Sequence, residues 1–197
     1  TMIEKNDLGN ICHEHIEFYS LQSLKFLFET NGLEIFKIEE NDINGGSYRL
    51  YCKKYKNGSI KLKNENVLTL MKGFIKRVKQ NKKTTMNFIK KKVKDGKKIY
   101  LYGASTKGNT VLQYYGINNK QIPFAAERSP EKWGKYTVNT GIKIIKEKDA
   151  RKLNPDYFFV TPWGFIKEFI KREKLWLKGG GSFMVPFPKF RIIKRHD

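Results

Sequence analysis

Three stretches of the sequence bring together side chains that can move protons or hold anions. The first is His13-Glu14-His15, where two of the three histidines of the chain flank a carboxylate. In an extended segment His13, His15 and Glu17 share a face, because side chains alternate along a strand. Three readings stay open for it. The pair could be solvated and without a role. It could supply a general base, since imidazole titrates near neutrality and a carboxylate can orient the ring. Two imidazoles and a carboxylate could also bind a metal, although the zinc-protease spacing HExxH is absent.

The second stretch is Gly103-Ala104-Ser105-Thr106-Lys107-Gly108-Asn109-Thr110. It follows an apolar run and opens a helical pattern, so backbone N–H groups and the positive helix end point at one place. A phosphate loop would need Lys where Asn109 stands. A dinucleotide fingerprint would need Gly where Ser105 stands, although Glu127 falls at the end of the next strand, suited to a ribose hydroxyl. A plain strand-to-helix turn that binds nothing is the competing reading. The third stretch runs from Glu127 through Arg128, Lys132 and Trp133 to Gly134, and is joined by Thr161-Pro162-Trp163. These residues follow apolar runs, which places them at the carboxyl edge of a sheet, where open α/β sheets gather ligands. Trp163 either caps the core or flanks a base or sugar.

The elements that must position these stretches divide the chain into three sections. Residues 1–17 read as extended. Phe18 to Asn31 reads as a helix stopped by Asn31-Gly32, and Leu33–Glu39 and Ser47–Lys53 read as a hairpin. Residues 57–96 read as a basic helical connector broken near Gln80–Thr85. From residue 97 the pattern is βαβ-like: strand Lys98–Tyr102, helix Thr106–Tyr115, strand Ile122–Ala126 and a polar loop over 127–141. A short helix at Glu147–Leu153, strand Tyr157–Val160, helix Phe165–Leu177 and strand Phe183–Val185 complete it. Alternating short strands and helices predict an α/β fold, a Rossmann-like parallel sheet covered on both faces.

Charge is the feature that pulls toward another class. Forty Lys and Arg against 19 Asp and Glu give a net +21, a balance that can mark nucleic-acid binders. The lysines concentrate in 53–98, where Val67, Leu70, Met71, Phe74, Ile75 and Val78 recur at helical spacing. A solvated helix face accounts for that pattern, and no nucleic-acid reading motif accompanies it. No apolar run is long enough to span a bilayer. Two cysteines, Cys12 and Cys52, fit neither a metal finger nor a disulfide framework, so two reduced thiols and a cytoplasmic location are expected.

Taken in order, the motifs resemble a known family. Cys12-His13-Glu14-His15-Ile16-Glu17-Phe18-Tyr19-Ser20 is similar to Tyr-x-Glu-His-x-x-Tyr-Phe-Ser. Asn44-Gly45-Gly46-Ser47 is similar to His-Gly-Gly-Ser. Gly103 to Thr110, Glu127 with Pro130, Lys132 and Gly134, Pro162-Trp163, and Pro186 to Pro188 complete the series. The chain thus resembles the C-terminal half of the S-adenosylmethionine-dependent sugar C-methyltransferases. It departs from them at Cys12, where Tyr is common, and at Asn44, where His is common.

The resemblance implies a division into three parts. Residues 1–56 would end a class I methyltransferase domain, 57–96 would connect, and 97–197 would form the Rossmann-like C-terminal domain. The implied reaction is methyl transfer from S-adenosylmethionine to carbon on a nucleotide-linked keto sugar. His15 would be the base and Glu14 its partner. Gly103, Ser105, Thr106, Lys107, Gly108, Asn109, Glu127, Lys132 and Trp163 would hold the nucleotide-sugar portion. The donor loop is expected upstream of Thr1, in the same or a separate polypeptide, so no donor is expected to bind this chain alone and it is expected to be inactive by itself. The alternative is a free-standing nucleotide-binding or dinucleotide-binding α/β module without catalysis.

Overall fold

The computed structural model describes residues 2–41, 43, 46–63 and 66–195. Its centre is a six-stranded sheet whose inner strands are largely apolar. Ile99–Tyr102 (β3), Tyr157–Val160 (β6) and Ser182–Val185 (β7) are buried almost throughout. Strands covered on both faces read as continuous apolar runs rather than alternating ones. With Phe124–Glu127 (β4), Lys143–Lys146 (β5) and Arg191–Ile193 (β8), the order is β5-β4-β3-β6-β7-β8. The first five are parallel and β8 runs antiparallel on β7. The expected Rossmann-like α/β sheet is therefore present. Chain order reverses direction between β3 and β6, which opens a crevice at their carboxyl ends.

Each face of the sheet has its own core. Ile99 and Leu101 point toward Val67–Lys94 (α2) and Thr106–Tyr115 (α3), meeting Phe74, Val78, Ile89, Val111 and Leu112. Tyr100 and Tyr102 point toward Glu147–Lys152 (α4), Ile166–Arg172 (α5) and Lys174–Lys178 (α6), meeting Ala150, Phe158, Phe169 and Leu177. Trp176 of α6 lies between the rings of Phe158 and Phe183, at 4.5 and 5.2 Å between centroids. A Cβ on Gly181 would overlap that indole. Because the ring is held by Phe158, Phe183 and the Pro155 carbonyl, Gly181→Ala should cost about 1–3 kcal/mol, read as a lower urea midpoint with unchanged slope.

Four expectations from the pattern need correction. Residues 2–12 are not extended: they fold into turns and a 3-10 turn at Leu8–Asn10, with Leu8 entering the core beside α3. The connector helix is unbroken across Gln80–Thr85, so α2 spans 28 residues. Its polar stretch faces the domain, where Asn81 Nδ2 donates to Pro188 O at 2.9 Å and Thr85 is buried. The helix expected over 165–177 divides at Glu173, whose side chain turns inward. β5 and β8 stand where no strand was expected, being four and three residues long with charged ends.

The helix–hairpin near the N-terminus is a smaller unit. Leu21–Thr30 (α1) begins at a reciprocal cap in which Ser20 and Ser23 exchange hydrogen bonds. It packs on Leu33–Asn41 (β1), which pairs with Ser47–Lys54 (β2) as a separate two-stranded sheet. No residue of α1 is buried, and β1 buries only Glu34 and Ile35. The Glu34 carboxylate accepts the N–H groups of Lys56, Asn57 and Gly58, which holds its pKa down to about 2. This contact fixes the exit of the chain from the hairpin toward α2. No helix among the described residues is long and apolar enough to cross a membrane.

Candidate functional site

The glycine loop between β3 and α3 is built by close packing. Gly103 has φ +82°, a region other residues rarely enter, and lies against Pro162. A Cβ on Gly108 would stand 2.5 Å from Thr161 Oγ1, so only glycine lets α3 lie this near the end of β6. Ser105 caps α3 by accepting Gly108 N–H at 3.0 Å. The N–H groups of Ser105, Thr106 and Lys107 then stand at the helix start without intrahelical partners. Asn109 lies in the first turn of α3 behind them.

Glu127 organises the neighbouring loop. Its carboxylate accepts Ala104 N–H at 2.8 Å, Arg128 N–H at 2.8 Å and Ser129 N–H at 3.0 Å. Lys132 Nζ donates to Ala104 O at 2.8 Å and lies 3.7 Å from Glu127. Burial pushes the Glu127 carboxyl up, but these N–H groups and Lys132 outweigh it and hold the pKa low. Glu127 and Lys132 thus clamp the β4 loop onto the β3 loop.

The histidine segment docks on the other side of the same loop. Gly9 lies so close that a Cβ would stand 3.1 Å from Lys107 O. Thr106 Oγ1 donates to Glu14 Oε1 at 3.1 Å. A turn, with His15 N–H on Cys12 O at 3.0 Å, presents His15 at the surface. There His15 Nδ1 stands 2.8 Å from Asn10 O. A carbonyl only accepts, so the neutral ring carries its proton on Nδ1 and leaves the Nε2 lone pair available. Glu14 engages Thr106, and the group that orients the imidazole is the Asn10 carbonyl, which sequence reasoning missed. A cavity of about 260 Å³ is lined here by His15, Glu17, Phe18, Gly46, Ser47 and Lys107, among others. Asn44 and Gly45 of the Asn-Gly-Gly-Ser motif lie outside the described residues. No group of three His, Cys, Asp or Glu side chains among the described residues converges as a metal site.

A second cavity of about 300 Å³ opens at the crevice between β3 and β6. Gly103, Ala104 and Ser105 form one wall and Pro162, Phe165 and Phe169 another. Beneath it lies a network with no sequence signal beyond the i,i+4 pairs Glu147–Arg151 and Glu168–Arg172. The buried Glu173 carboxylate takes both a hydrogen bond from Tyr102 OH at 2.6 Å and a two-pronged contact from Arg151. Arg172 donates to Tyr102 OH at 3.0 Å and to Glu147 at 3.0 Å. Burial raises the Glu173 pKa, yet Arg151 and Tyr102 more than offset it, leaving it lowered. Burial, with Glu173 beside it, pushes the Tyr102 phenol up. Trp163 does not line this cavity. It packs against both cores, with its indole near the Asp7 carboxylate. The half-exposed aromatic at the crevice is Phe165.

Gly103, Ser105, Glu127 and Lys132 therefore meet at the crevice, while Lys107 joins His15 across Thr106 and Glu14. Comparison with known proteins places the chain in a family. The sequence profile of the C-methyltransferase C-terminal domain matches residues 42–188. The chain is 28% identical over 204 residues to C-methyltransferase NovU of Streptomyces niveus, covering 98% of this chain and 49% of that protein. It thus spans about half the length of the curated relative it matches. With a profile match across most of its length, the chain belongs to the C-methyltransferase family and carries that family's C-terminal domain.

Proposed function

We propose that this chain supplies the proton-transfer segment and the nucleotide-sugar side of a C-methyltransferase that uses S-adenosylmethionine. The observation that carries the reading is that His15 and Lys107, 92 positions apart in sequence, line one cavity. The substrate is a nucleotide-linked keto sugar. His15 Nε2 takes the proton from the carbon beside the carbonyl, and the C–H electrons move toward the carbonyl oxygen. The Lys107 ammonium and the α3 N-terminus face the negative charge of that oxygen or of the diphosphate. The crevice beside Phe165 takes the nucleoside.

The glycine loop at 103–108 is read as an anion site rather than a donor site, because Lys107 and the start of α3 lie there. The donor, which supplies an electrophilic methyl group when bound, is assigned to polypeptide beyond these residues, in the same chain or another. Two-dimensional NMR of this chain titrated with a nucleoside diphosphate tests the substrate reading. Shifts should centre on Gly103–Thr110 and the residues around Phe165. Shifts spread over the lysines of 76–98, equal with short DNA, would replace this reading with binding by charge alone.

A further inference from the structure

We infer that Asp7 is a positioning residue for His15, acting through the Asn10 carbonyl to hold the imidazole in its Nδ1–H form. The inference rests on the reading of His15 as the base. Asp7 is only 7% exposed, and its Oδ2 accepts Asn10 Nδ2 at 2.9 Å. The Gly9 N–H and the Trp163 indole lie near the same carboxylate and favour its charged form. Asn10 closes the 3-10 turn at Leu8–Asn10, and its carbonyl meets His15 Nδ1 at 2.8 Å. Asp7 thus holds Asn10 through its side chain, and Asn10 holds the ring through its carbonyl.

The arrangement runs against stability taken alone. A carboxylate buried at a turn costs desolvation that an apolar side chain would avoid. Burial indeed pushes the Asp7 carboxyl above its ordinary range, against the pull of Lys107, the nearby Trp163 indole and Gly9 N–H, and His15. Nor does the adjacent carboxylate serve instead, since Glu14 is held by Thr106. Imidazole in water favours the proton on Nε2, which would leave the wrong nitrogen protonated for a base. The Asp7–Asn10 link reverses that preference at the one histidine among the described residues that lines the cavity with Lys107.

Long-range proton–nitrogen NMR of the 197-residue chain reads the tautomer of each histidine directly, and three histidines make assignment simple. His15 should show the Nδ1–H pattern, and His13 the ordinary Nε2–H pattern. Asp7→Ala should shift His15 to the Nε2–H pattern without moving His13, and Asp7→Asn, which keeps an acceptor for Asn10, should retain Nδ1–H. If Asp7→Ala fails to fold, Asn10→Ala removes the same link from a partly exposed position and should give the same shift. An Nε2–H pattern at His15 in the unaltered chain, or an unchanged His15 in a folded Asp7→Ala or Asn10→Ala variant, overturns the inference. This readout involves no turnover, so it stands or falls apart from the assignment of the reaction.

Discussion

His15→Asn in the complete enzyme is expected to lower turnover by about two to four orders of magnitude, the usual cost of removing a general base. Affinity for donor and sugar nucleotide should change little, because asparagine preserves the size and polarity of the position. Exchange of solvent deuterium into the carbon beside the keto group should stop as well. His13→Asn is the control. His13 is exposed and is not among the residues lining the cavity with Lys107, so exchange should continue there. Near-normal exchange in His15→Asn would move the base to another residue and leave the Nδ1 contact with Asn10 as a structural detail.

Glu173→Ala should be the most destabilising single change outside the apolar core, at about 3–5 kcal/mol. It leaves Arg151 and Tyr102 without the buried partner that both of them bond. The effect carries a pH signature. The Glu173 carboxyl has a folded-state pKa below its unfolded value, so its contribution is fully present above the unfolded value, about 4.3. It is lost as pH falls through the folded value. Urea unfolding of the unaltered chain and the variant should therefore show a wide gap at neutral pH that narrows in acid. A gap of constant size from neutral to strongly acidic pH would mean that packing around Glu173, not its charge, supplies the stability.

How much of this was legible in the sequence varies by segment for physical reasons. β3, β6 and α3 were placed almost to the residue, because a strand buried on both faces and a helix capped by serine leave unambiguous local patterns. The break expected in α2 was an error of the opposite kind. Gln80–Thr85 is polar enough to suggest solvent, yet Asn81 reaches Pro188, a contact between residues 107 positions apart. At the site, the residue types of His15, Lys107, Glu127 and Lys132 could be read, and so could the glycine loop. What each touches could not. Glu14 was paired with His15 by adjacency, but a turn sends it to Thr106. Trp163 was offered to a ligand, but both cores and Asp7 claim it. The Tyr102–Glu173–Arg151 network left no trace, since its members lie on three separate elements.

The docking of Gly9 against the backbone of Lys107 has a consequence for timing. His15 and Lys107 are brought to one cavity by the fold itself. With His15 as the proposed base and Lys107 at the proposed anion site, the ordering entropy of bringing them together would be met during folding and not during each turnover. In the proposed complete enzyme, a movement between this half and a donor-bearing half would change how the methyl group approaches, but not how the proton leaves. Carbon acidity and carbon–carbon bond formation would then answer to different parts of the molecule, one to a prebuilt surface and the other to a hinge.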